Sequence, residues 1–425
     1  MATPRWIGAA LDVFQKDSIT IALTWAAADT LTVTIGTRDL VLTVGATVTT
    51  ASIAQAVLEM INGDTITGDP ARSDTGDNIP EFAKVTATLF SASVVHVTAN
   101  TAGVPFTMTV TENTAGTGTA TRAAVTACTG ANFWDNADNW DTGVVPADGD
   151  SVYIDNSDVS ILYGLAQSAI EPAAMYVAQS FTGTIGLPEV NEDGGYHEYR
   201  ATYLRVGPVI LKVGAGPGNG SGRIRIDSGD DPCALTVYNT GSPLDDVPAL
   251  LWKGSDAGNT LVMVAGSVGV AVYGAETATL ATVTKEDGDL TTGAGVTLSG
   301  ALKQHGGTWV INSAVATSLT QTAGANVVEG TGAVAQLTLR GGSCVYNTTG
   351  TLGGAPVVSG DASLDFSQNP ATKAVTNPIE AHGKDCRILD PNKVVTTLVV
   401  DFNEGASEGQ VTWGSNVRLT RGTPA

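Results

Sequence analysis

Charge is scarce in this chain of 425 residues, at 15 %, and aromatic side chains are scarcer, at 6 %. Basic residues number 21 against 42 acidic ones, giving a formal charge of −21. So acidic a surface repels phosphate backbones, and general nucleic-acid binding is excluded. Only four cysteines are present, and Cys128, Cys233, Cys344 and Cys386 lie far apart with no CxxC pair. Zinc-ligand spacing is therefore absent, and a disulfide framework is not expected in a chain of this length, which leaves free, mostly buried thiols. No apolar run approaches the roughly 18 residues needed to span a bilayer, so no membrane insertion is expected. The opening segment, MATPRWIGAALDVFQKD, has one arginine and a short apolar run broken by Asp12, unlike a secretory leader. The expectation is a protein made and left in the cytoplasm, or one that leaves by cell lysis.

What fills the chain instead is Thr, Val, Ala and 50 glycines, a composition suited to many short strands joined by tight turns. Residues 1–125 read as an α+β attachment domain. SITIALTW and DTLTVTIGTRDLVLTVG alternate apolar and polar residues, whereas TTASIAQAVLEMINGD changes period. There Ile53, Ala54, Val57, Leu58 and Ile61 share a helical face, with Thr50 placed to cap its start and Gly63 to end it. AKVTATLF, SVVHVTAN and VPFTMTVT then return to strand alternation, which predicts one helix laid on an antiparallel sheet.

Residues 156–425 contain no credible long helix. Short β-prone runs recur, and glycines at 288, 306, 324, 342 and 360 are spaced by 18 residues. Apolar residues keep a fixed phase around them, as at Val283, Leu319 and Leu337. This period predicts a parallel β-helix in which Gly288, Gly306, Gly324, Gly342 and Gly360 occupy one corner of successive rungs. A distinct C-terminal cap is one option, and a string of antiparallel sandwiches is the alternative architecture.

Between the two lies NFWDNADNWDTGVVPADGDSVYI, a Trp- and Asp-rich stretch within a junction over 126–155. Trp134, Asn139, Trp140, Gly143, Pro146, Gly149, Asp150, Val152 and Ile154 fit W-x4-N-W-x2-G-x2-P-x2-G-D-x-V-x-I. A structural part is the physical reading: Trp134 and Trp140 cover the open end of the first rung, Pro146 and Gly149 turn the chain, and Asp150 bonds turn amides. The rival is calcium held by Asp135, Asp138, Asp141, Asp148 and Asp150, but their order is not that of an EF-hand. The phrase resembles one found where β-solenoids begin in bacterial surface proteins and in tailed-bacteriophage virion proteins. RWIG, TLTVTIG, ASIAQAVLEMIN and VHVTANTAGVPFTMTV extend the resemblance to phage virion structural proteins, over residues 4 to about 210.

Motifs for chemistry are few. His96, His197, His305 and His382 are scattered outside any GxSxG or HExxH context. GAGPGNGSG, at 214–222, lacks the GK[ST] ending of a phosphate loop, and no cofactor is expected. An 18-residue register would place Glu329 and Asp365 in one column two rungs apart, near the upper limit for an inverting glycosidase pair. Asp227, Asp230 and Asp231 form a second acidic group. Exposed aromatic platforms for a sugar are sparse, and solvated acids are the simpler reading.

The expected protein is mainly β, with a small α+β domain followed by a right-handed parallel β-helix. The resemblance implies a non-enzymatic virion protein, an outer capsid decoration or head-fibre-like part, with capsid or tail proteins as partners and itself in a homotrimer. A tail fibre or tailspike that binds or cleaves a host-surface glycan is the alternative, followed by a bacterial surface adhesin.

Overall fold

The computed structural model describes residues 2–72, 79–186, 203–214, 224–240, 247–396 and 398–413. Strands account for 42 % of the chain and helix for 6 %. The N-terminal strands are β1 (Lys16–Ala22), β2 (Thr30–Ile35), β3 (Arg38–Thr43), β4 (Ala71–Arg72), β5 (Val85–Ser91), β6 (Val94–Ala99), β7 (Met108–Asn113) and β8 (Thr119–Thr126). Their Thr/apolar alternation is realised side by side: in β2, Leu31, Val33 and Ile35 are buried while the threonines between them are half-buried.

These strands make two antiparallel sheets, ordered β5-β6-β1-β8 and β4-β3-β2-β7, rather than the single sheet that the alternation predicts. The split begins after β1, where Leu23 and Ala28 take left-handed φ values of 61° and 70° and lead the chain from one sheet to the other. One helix, α1 (Thr50–Asn62), packs Ile53, Ala54, Val57, Met60 and Ile61 into the core the sheets share. Thr49, not Thr50, is its cap: Thr49 Oγ1 accepts the Ser52 amide at 3.1 Å, and Ser52 Oγ accepts the Thr49 amide at 2.9 Å. Gly63, at φ 74°, ends the helix.

From β9 (Ser151–Ile154) onward the named strand pairings are parallel, and the chain winds into a β-solenoid of about 11 turns. Each turn gives one strand to a 14-stranded sheet or its 11-stranded counterpart, and most turns give one to both. Side chains facing inward stack from turn to turn, so a single core runs from Val152 to Val411. One inward column reads Val237, Met263, Lys285, Gln304, Gln321, Leu339, Val358 and Ala381. Its polar members are fully buried, and their side chains replace solvent for the corner carbonyls. Gln304 Nε2 donates to Gly307 O at 2.9 Å, and Gln321 Nε2 to Gly324 O at 2.8 Å.

The corner itself is a glycine column. Strand registers align Gly266, Gly288, Gly307, Gly324 and Gly342. Each carbonyl accepts an amide of the following turn, from Thr308 N to Gly288 O at 2.9 Å to Ser363 N to Gly342 O at 2.8 Å. Gly306 stands one position before the column member Gly307, and Gly360 stands two before Ala362, which takes the place above Gly342. A strict 18-residue spacing misassigns these two because the turns are unequal: Leu302 aligns with Leu319 and Leu319 with Leu337, but Val358 aligns with Ala381.

The first turn is closed by the start of the chain. Residues 2–6, which the sequence places with the domain at 1–125, lie parallel to β9: Ser151 N donates to Ala2 O at 3.0 Å, Tyr153 N to Pro4 O at 2.9 Å, and Trp6 N to Tyr153 O at 2.9 Å. The edge of β9 is thereby paired rather than left open. No helix among the described residues is long and apolar enough to cross a membrane.

Candidate functional site

Two regions bring together the residues that the sequence singles out, the junction and a lateral cleft. At the junction, Trp134 and Trp140 are fully buried and meet edge to face at 4.7 Å between ring centres. Trp6 is a third, equally buried member, at 5.3 Å from Trp140. Such T-shaped contacts match the positive ring edge to the negative ring face. Trp140 Nε1 donates to Trp134 O at 2.9 Å and Trp6 Nε1 to Val159 O at 2.8 Å. All three belong to the solenoid core rather than to that of the N-terminal domain.

Asn139, the polar residue between the two tryptophans of the motif, is equally buried. Its Nδ2 donates to Gly130 O and Phe133 O, both at 2.8 Å, and its Oδ1 accepts the Ala10 amide at 2.8 Å. Pro146 is buried, Gly149 turns at φ 75°, and Asp150 accepts the Ala2 amide at 2.6 Å and the Ala147 amide at 3.1 Å. Two of the other aspartates are spent separately: Asp141 accepts the Arg5 amide at 2.8 Å and Asp148 the Glu171 amide at 2.9 Å. Among the described residues, no three His, Cys, Asp or Glu side chains converge as a metal site.

The cleft lies on the 11-stranded sheet. Arg205, Asp227 and Lys253 are in register on consecutive strands, Leu204–Arg205, Ile224–Asp227 and Leu250–Lys253. Neighbouring strands are about 4.8 Å apart, so the charges alternate in sign along the axis at that interval. Glu276 joins them from the loop after the next strand, Ser267–Val270: its carboxylate meets Lys253 Nζ at 3.4 Å and accepts the Tyr203 hydroxyl at 3.2 Å and the Tyr273 amide at 3.3 Å. The Lys253 ammonium also lies 4.2 Å from the centre of the Tyr203 ring, a cation–π contact. Burial, and then the Glu276 charge, push the Tyr203 phenol above its ordinary value. Arg205 Nε stands 3.6 Å from Asp227 Oδ2. Gly229, Gly254, Ser255, Ala275 and Thr277 form the remaining walls of a space of about 440 Å³, with Asp230 at its rim.

Asp227 and Asp230 are thus brought together, while Asp231 faces Gly207 instead. Arg205 and Lys253 were invisible in the sequence, since the turns that align them with Asp227, at 22 and 26 residues, follow no fixed period, and Glu276 reaches them from a loop outside the register. Glu329 and Asp365 do not share a column. Asp365 aligns with Val345 and Val327, while Glu329 follows Val328, two positions on. The turn between Ser343 and Ser363 is longer than 18 residues, and Asp365 instead accepts the Ser367 amide at 2.7 Å.

His96 stacks on Phe90 at 4.4 Å, His305 meets Thr322 Oγ1 at 2.9 Å, and His382 lies 3.4 Å from both Glu380 and Glu404. His197 and residues 215–222 of the glycine-rich run lie outside the described residues. All four cysteines are free thiols, and burial pushes Cys233 and Cys344 up to about 12. No protein-family model matches the chain, and no curated protein matches it.

Proposed function

We propose that this chain is a non-enzymatic structural protein of a tailed-bacteriophage virion, an outer capsid decoration or head-fibre-like part. In this reading the antiparallel domain attaches to capsid or tail proteins and the solenoid stands away from them, as a homotrimer. The observation that carries it is the sealed junction. The Trp6, Trp134 and Trp140 cluster and the pairing of residues 2–6 with β9 close the base of the rod, and the compact domain hangs from that base where Val13 N donates to Thr129 O. At about 4.8 Å per turn, the solenoid's 11 or so turns give roughly 50 Å of reach. A spacer with most of its charged residues outward and its mass in a continuous core suits a projecting part.

Electron cryo-microscopy of purified virions, with mass spectrometry of their proteins, tests the reading. A rod-shaped density on the outer capsid supports it, and absence of the chain from purified virions overturns it. The polar cleft favours a second reading, a tail fibre or tailspike that binds a receptor, which the same images separate by location. Light scattering of the purified protein measures the trimer, and a monomer at micromolar concentration removes that part of the proposal.

A further inference from the structure

We propose that the cleft between Arg205, Asp227, Lys253 and Glu276 binds a neutral, hydroxyl-rich saccharide. Charge selects the class. The walls carry two cations, Arg205 and Lys253, and three carboxylates, Asp227, Asp230 and Glu276. A phosphate or a polyuronate would face the carboxylates, and a metal ion or a polyamine would face the cations, so each strongly charged ligand is opposed by part of the lining. A hydroxyl group both donates and accepts. A row of them can satisfy carboxylates and cations that alternate along the axis.

The lining also has capacity left for such a ligand. Arg205 and Asp227 approach no closer than 3.6 Å, and Lys253 and Glu276 no closer than 3.4 Å, longer than well-formed charge-assisted hydrogen bonds. The Arg205 side chain is 56 % exposed and Asp230 is exposed, so both reach the open side. The Glu276 carboxylate is held from behind by Tyr203 and the Tyr273 amide, which leaves it ordered before a ligand arrives. Two glycines line the space without a side chain, Gly229 at φ 69° and Gly254. The resulting volume of about 440 Å³ lies within the range of small-ligand sites. Tyr203 is buried and cannot stack on a sugar ring, so hydrogen bonds dominate and affinity is weak, in the millimolar range for a short oligomer.

Saturation-transfer NMR on the full chain tests this with dextran and mannan oligosaccharides, against heparin, oligogalacturonate and chitosan oligomers. The expected result is saturable binding of a neutral oligosaccharide, weakened about tenfold by Arg205→Gln and by Asp230→Asn with the thermal midpoint unchanged. No binding of either neutral oligomer overturns the proposal. So does preference for a charged one, or binding that neither variant alters. The outcome is independent of where the chain resides: a virion protein with an inert cleft would refute this inference and leave the reading above intact.

Discussion

At the scale of single residues, the junction depends on a few side chains that a six-residue spacing made conspicuous. Truncating Trp140 to Ala removes a ring that touches both Trp134 and Trp6, and a loss of about 3–5 kcal/mol is expected from chemical unfolding followed by tryptophan fluorescence. Asn139→Ala removes three buried hydrogen bonds without touching an aromatic contact, and the same measurement should give about 2–4 kcal/mol. Lys285 is a different kind of residue, a fully buried cation whose Nζ donates to Gly306 O at 2.6 Å. Burial pushes its ammonium down to about 8, against the pull of Asp287 and Asp289. Between that pH and the ordinary lysine value, the unfolded chain keeps a proton that the folded chain gives up, so this contribution to stability rises with pH. Lys285→Met abolishes the rise. The stability of the variant relative to the unsubstituted protein should therefore fall by about 2 kcal/mol between about pH 7 and about pH 9.5 in urea unfolding. The buried thiols, pushed up, act in the opposite direction but are present in both proteins. A difference independent of pH would return the Lys285 ammonium to its ordinary value.

At the scale of elements, the glycine column separates two effects that a sequence merges. Gly324 and Gly383 both have φ 83°, so both lose a left-handed conformation when replaced by Ala. A Cβ at Gly324 would also stand 2.4 Å from Gly307 O, whereas one at Gly383 meets nothing within 4 Å. Gly383→Ala should cost about 1–2 kcal/mol and Gly324→Ala distinctly more, measured by urea unfolding, because the turns must part to admit the methyl group. Equal costs would show that the turns are not closely stacked there. The same column shows what was legible in the sequence. Apolar phase and recurring glycines announce a parallel solenoid wherever turns run at 17 to 19 residues, as from Val283 to Leu337. Registers set by longer turns leave no such trace, which is why Arg205, Asp227 and Lys253 emerge as neighbours only in three dimensions. The helix was legible from its period, with its cap misplaced by one residue between adjacent threonines. The split into two N-terminal sheets was not, because a left-handed Leu23 or Ala28 is imposed by packing and leaves no mark in composition.

At the scale of the whole molecule, two separate cores share one chain. The N-terminal cluster and the solenoid cluster have no member in common, so calorimetry should resolve two transitions. Trp6→Ala should lower the solenoid transition and spare the other, although Trp6 precedes the N-terminal domain in sequence. A single transition that moves as one would join the two cores. The placement of Trp6 reaches further. The chain leaves the solenoid's cap at Val13 and returns beside it at Thr129, where Val13 N donates to Thr129 O at 2.8 Å. Topologically, the antiparallel domain is an insertion hung between two adjacent backbone positions, not a prefix. Replacing 14–128 by an Asn-Gly turn should yield a rod that keeps its buried tryptophans and its solenoid transition. A recombination event can then exchange this domain as a cassette while leaving the rod's own fold untouched.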